Sequence, residues 1–175
     1  TMLTANGHTF TYTYDALNRL TLIDGPDTQD DRAYIYDNCT NGAGKLCRIV
    51  NEFISIEYTY DVLGNITNHQ TISYTYDKAN RLKTITYPSG AEIKYIYNAA
   101  SQIERVVLTR DGISKNIAGN IEYKPFGDIT SLSYGNGKTL TQKFDLAYRL
   151  TSQNVPGAFQ QTYPLYDGNG NIKEI

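Results

Sequence analysis

The stretch Tyr58-Thr-Tyr60-Asp61-Val-Leu-Gly64-Asn65-Ile66, together with Tyr74-Thr-Tyr76-Asp77-Lys-Ala-Asn80-Arg81-Leu82, decides the fold. In both, tyrosines two apart share one face of an extended strand, because successive side chains alternate across the pleat. The Asp that follows is a turn former. Its carboxylate can accept a backbone N–H two residues on, and Gly or Asn tolerates the positive φ that a tight bend demands. The aliphatic residue, Ile66 or Leu82, then restarts a strand facing the way the tyrosines face. Each stretch reads as strand, sharp turn and returning strand, and Tyr95-Ile-Tyr97-Asn98 is a degenerate copy.

A signal that recurs is tested as a repeat before anything else. The aromatic before the turn falls at Tyr14, Tyr36, Tyr60, Tyr76, Tyr97, Tyr123, Phe144 and Tyr166, in steps of 16 to 26 residues. Tyr123 and Phe144 head the looser copies. Between copies lies a second kind of turn, at Asn6-Gly7, Pro88-Ser-Gly90, Asp111-Gly112, Asn136-Gly137 and Val155-Pro156-Gly157. Asn-Gly and Asp-Gly suit two-residue hairpins. Asn51-Glu52 and Asn68-His69 read as short polar bends. Apolar residues nowhere keep a helical spacing for three turns. The expected fold is all-β, an antiparallel meander of about eight hairpins in a curved, twisted sheet, with no helices.

The 175 residues form a single repeat region, and the chain, opening and stopping in mid-pattern, reads as an excerpt of something longer. Its 16 tyrosines, with no Trp and one Met, suit a thin wall: each ring can pack while its hydroxyl stays wet. A net charge of −2 with both signs interspersed gives no footprint for nucleic acid or for anionic lipid. No apolar run reaches the length of a membrane span, and no secretory leader is recognisable.

Structural roles fall to Tyr14, Asp15, Tyr36, Asp37, Tyr60, Asp61, Tyr76, Asp77, Tyr97, Tyr166 and Asp167. Carboxylates repeated at this interval point to a shared structural job and away from paired acids. No catalytic, cofactor-binding or metal-binding residue is expected. Asp24, Asp27, Asp30 and Asp31 sit in one polar loop, but their spacing matches no calcium loop. Asp167-Gly-Asn169-Gly-Asn171 opens like one, without the closing Glu. His8 and His69 lie beside predicted turns and read as solvated loop residues. Cys39 and Cys47, the only cysteines, flank a Gly-rich bend. They either face each other across a hairpin and close a disulfide, or remain free thiols. The bonded form implies export to an oxidising compartment.

The residues at 12–20 (Tyr-Thr-Tyr-Asp-Ala-Leu-Asn-Arg-Leu), at 74–82 and at 61–66 closely resemble the YD repeats of RHS (rearrangement hot spot) proteins. Asn41-Gly-Ala-Gly-Lys-Leu-Cys47 also resembles an insertion in bacterial members. The family includes bacterial polymorphic toxins, cocoon components of insecticidal toxin complexes, and animal teneurins. The resemblance implies a non-catalytic strip of hairpins, secreted or at the cell surface. Its partners would be neighbouring RHS repeats and, in the toxins, an enclosed C-terminal domain. The competing expectation is an adhesion or carbohydrate-binding module, since tyrosine-rich sheets can stack sugars or grip partner loops. Unpaired strand edges would favour weak self-association, checked by sedimentation at several concentrations.

Overall fold

A computed structural model describes residues 1–5 and 7–174. The expected Asn6-Gly7 turn lies partly outside the described residues. The chain divides into two units, Thr1–Thr75 with Thr86–Pro88, and Tyr76–Ile85 with Ser89–Ile175. Both are all-β and antiparallel, and the described residues contain no helix.

The first unit holds β1 (Met2–Leu3), β2 (Thr9–Tyr14), β3 (Leu20–Asp24), β4 (Arg32–Tyr36), β5 (Leu46–Val50), β6 (Ser55–Tyr60), β7 (Ile66–His69) and β8 (Ile72–Tyr76). The second holds β9 (Leu82–Thr86), β10 (Glu92–Tyr97), β11 (Ile103–Arg110), β12 (Ile113–Tyr123), β13 (Ile129–Tyr134), β14 (Thr139–Phe144), β15 (Leu150–Val155) and β16 (Phe159–Thr162). A separate hairpin follows, β17 (Leu165–Tyr166) with β18 (Ile172–Glu174). Within each unit hydrogen-bonded neighbours follow chain order, as in a meander.

The register explains the sequence pattern. The aromatic before each turn lies opposite the aliphatic after it: Tyr14 faces Leu20, Tyr36 faces Leu46, Tyr60 faces Ile66 and Tyr97 faces Ile103. Tyr123–Ile129, Phe144–Leu150 and Tyr166–Ile172 repeat the arrangement. Directly opposed residues share a face, so both are held where a cross-strand pair contributes about 0.2–1 kcal/mol. Each of these pairs sits beside a shift in register, where one extra residue bulges and strengthens the local twist.

Few of the described residues in either unit are fully buried. Among the described residues Cys47, 3% exposed, is the only buried hydrophobic, and Thr84 the only buried polar residue. Stability must therefore come from half-covered rings, backbone ladders and turns.

One bend differs from its sequence reading. Asn68 and His69 belong to β7, with Asn68 opposite Ser73 and His69 opposite Ile72, so the turn falls at Gln70-Thr71. Gln70 takes the left-handed conformation, φ 62°, and donates its N–H to Glu57 O at 2.8 Å. His69 is drawn into the ladder opposite Tyr58 and stacks on its ring at 4.9 Å. It is a half-buried strand residue, whereas His8 is exposed as expected.

Candidate functional site

The chemistry of this chain concentrates at the Tyr-Asp turn and its junction with the next repeat. In the first turn Asp15 N–H donates to Arg19 O at 2.9 Å, and Asn18 N–H donates to Asp15 O at 3.0 Å. The Asp15 carboxylate fills the loop: Oδ1 accepts the N–H groups of Leu17 and Arg19, and Oδ2 accepts Arg19 Nε at 2.7 Å. The residue three after the Asp must enter the left-handed region, which explains Asn18 (φ 60°), Asn80 (φ 61°) and Gly64 (φ 89°).

The same bonds recur at Asp77, Asp145, Asp61 and Asp167. The brace is Arg81 or Arg149 in two of them, and the side-chain amide of Asn65 or Asn171 in the other two. Sequence reading found the bond two residues on but missed this brace four residues on. The signal was present, since Arg or Asn recurs at that position. Asn98 replaces the Asp and still accepts both backbone N–H groups, from Ala100 and Gln102.

These contacts favour the ionised carboxylates. The Arg19 amide holds Asp15 below the usual carboxylate range, and the Arg149 amide does so for Asp145. For Asp37, Asp61, Asp77 and Asp167 the first cause is a side-chain donor: Arg19, Asn65, Arg81 and Asn171 respectively. The carboxylates are thus occupied acceptors, which leaves them poorly placed to act as bases.

Five of the turns also reach the next repeat through a cation. Arg19, braced by Asp15, lies over the Tyr36 ring at 4.4 Å and donates to Asp37 at 2.7 Å. Arg81 lies over Tyr97 at 4.3 Å, and Arg149 over Tyr166 at 4.7 Å. Lys45 takes this place over Tyr60. In the loose copy at Tyr123, Lys124 stands where the Asp should be and covers Phe144 and Tyr148 instead.

The tyrosine hydroxyl returns the contact. Tyr36 donates to Leu20 O, Tyr60 to Leu46 O, Tyr97 to Leu82 O and Tyr123 to Ile103 O, at 2.6 to 2.9 Å. Tyr166 donates to Leu150 O. In every case the acceptor is the aliphatic residue after the preceding turn. Tyr14 is 54% exposed; Tyr76 is half-buried at the end of β8. Phe144 lacks the hydroxyl, and the corresponding acceptor would be Ile129 O. Phe144→Tyr is accordingly expected to raise stability by about 1 kcal/mol, the net worth of one hydrogen bond, measured by urea unfolding. An unchanged midpoint would contradict the pairing rule.

Cys39 and Cys47 are joined by a disulfide across the enlarged second turn, with Cα atoms 5.5 Å apart. In the acidic loop Asp31 accepts the Gly25 N–H, and among the described residues no group of three or more His, Cys, Asp or Glu converges as a metal site.

This unit, a tyrosine-aspartate hairpin locked to its neighbour in both directions, is a YD repeat. A family model described as the teneurin YD-shell matches residues 39–122. The chain is similar in fold to TcdB2-TccC3, with TM-score 0.78 and 18% identity over 97% of this chain and 11% of that one. It is similar also to a Photorhabdus luminescens Tc holotoxin pore, with TM-score 0.75 and 18% identity over 97% of this chain and 10% of that one. The chain spans about a tenth of the length of these chains. No curated protein matches it. The motif, the family-model match over residues 39–122 and the fold agree in supporting an RHS/YD-repeat family.

Proposed function

We propose that the chain is a non-catalytic wall segment of an RHS shell, which in the full-length protein encloses a C-terminal toxin or effector domain. The observation that carries this reading is the reciprocal lock between consecutive repeats, with the turn's cation over the next ring and that ring's hydroxyl on the previous carbonyl. Such an array propagates in one dimension, each unit supported by its neighbours. Right-handed twist lets a long strip of this kind bend around a space. A wall one sheet thick fits half-covered tyrosines better than a conventional core would. The resemblance to secreted toxin components and to teneurins supports a secreted or cell-surface location.

The match to the teneurin model favours one second reading, a cell-surface adhesion or carbohydrate-binding module. Two measurements separate them. Under the shell reading, protease treatment of the full-length parent leaves its C-terminal domain intact until the shell is denatured, and a glycan array probed with this segment is silent. Ready digestion of the native parent's C-terminal domain, or saturable micromolar glycan binding, would overturn the shell reading.

A further inference from the structure

The enlarged second turn does more than close a hairpin. Its residues Asn38–Gly44 lean onto the third repeat, where Thr40 O accepts the Tyr60 N–H at 3.2 Å and Asn41 Nδ2 donates to Tyr60 O at 2.8 Å. The loop thus satisfies both backbone groups of the aromatic that heads the next repeat. Lys45, at the same turn, sits over the Tyr60 ring. No other turn described above grips a neighbouring backbone on both sides.

The disulfide fixes the shape that makes this grip. Cys47 is nearly inaccessible, and Gly42 packs against the bond so tightly that a Cβ there would lie 2.4 Å from Cys39 Sγ and 2.6 Å from Cys47 Sγ. A side chain at position 42 is incompatible with the closed loop. Cys39, by contrast, is half-buried, and the two cysteines border an open recess of about 300 Å³ lined also by Thr40, Arg48, Glu57 and Tyr58. Of the two residues that border the recess, Cys39 is the more accessible.

The geometry points to a redox-controlled latch: the Cys39–Cys47 disulfide holds the second turn on Tyr60, and a thiol reductant releases it. A thiolate entering by the recess attacks the Cys39 sulfur and displaces the Cys47 thiolate, giving a mixed disulfide. A second reductant thiol resolves it. Two electrons and two protons pass to the cysteines, and the reductant leaves as its own disulfide. The residues at 38–44 then regain freedom, and Tyr60 loses its partners in Thr40 and Asn41. Oxidation of the dithiol closes the latch again. The proposal rests on the local contacts alone and is independent of what the wall encloses.

Hydrogen exchange of the full chain, oxidised or treated with dithiothreitol, tests it. Mass must first rise by two hydrogens on reduction. Exchange of the Tyr60 amide is then expected to accelerate at least tenfold, while the Ser101 amide, bonded to Asn98 O in the other unit, keeps its rate. Cys39→Ser should reproduce the reduced state. Asn41→Ala, which leaves the disulfide in place, should give a smaller rise at Tyr60. An unchanged Tyr60 rate on reduction, a chain with no disulfide in the oxidised sample, or equal acceleration at Ser101 would each overturn the latch.

Discussion

Replacing Tyr97 by alanine is expected to lower the unfolding free energy by about 3 kcal/mol, the low end for aromatic truncation, because the ring is only half-covered. Three contacts are lost together. The ring leaves its place opposite Ile103, the Arg81 guanidinium loses the face it covers, and Leu82 O loses its hydroxyl donor. Tyr97→Phe removes only the last and should cost about 1 kcal/mol. Urea unfolding of the two variants reads both numbers. A loss below about 1 kcal/mol for Tyr97→Ala would mean that the ring is exposed for another purpose and that repeats do not lean on one another.

Acid is expected to unfold the chain more sharply than it would an ordinary sheet of this composition. Asp15, Asp37, Asp61, Asp77, Asp145 and Asp167 all have folded pKa values below the unfolded one. The unfolded chain, with carboxylates near pH 3.9, therefore binds more protons in the acid range, and stability rises with pH there. Their contribution is fully present above about pH 5 and is lost as pH falls through the depressed folded values. Thermal melts should be level from pH 7 to pH 5 and then decline steeply toward pH 2. The turn at Asn98 makes the same backbone bonds without a titrating group and serves as the internal control. Asp77→Asn should lessen the acid decline. A melting temperature that stays level from pH 5 to pH 2 would show that the carboxylates are not holding the turns.

Much of this was legible in residue order. The pairs Tyr14–Leu20, Tyr60–Ile66 and Tyr97–Ile103 are opposed because alternation and a short Asp turn leave little choice of register. The partners of the tyrosine hydroxyls were not legible, because a period of two assigns a face and says nothing of which carbonyl a phenol reaches across a strand pair. Tyr148 illustrates a second limit. Where other turns use Asn, Gly or Ser it places an aromatic at φ 62°, a conformation costly for a bulky residue. The backbone of the turn overrides local preference there, and Lys124 covers the exposed ring at 3.9 Å. His69 was misplaced for a related reason, since cross-strand stacking on Tyr58 outweighed the turn preference of Asn68.

The central claim is that each repeat is held by the turn before it, and a double-mutant cycle between Arg81 and Tyr97 tests it most directly. Arg81→Ala, Tyr97→Leu and the double variant are compared by urea unfolding. The lock predicts a coupling of about 0.5–1 kcal/mol, as expected for a cation over an aromatic face at a partly exposed site. Losses in the two single variants that simply add, to within about 0.3 kcal/mol, would mean that consecutive repeats stand side by side without supporting each other.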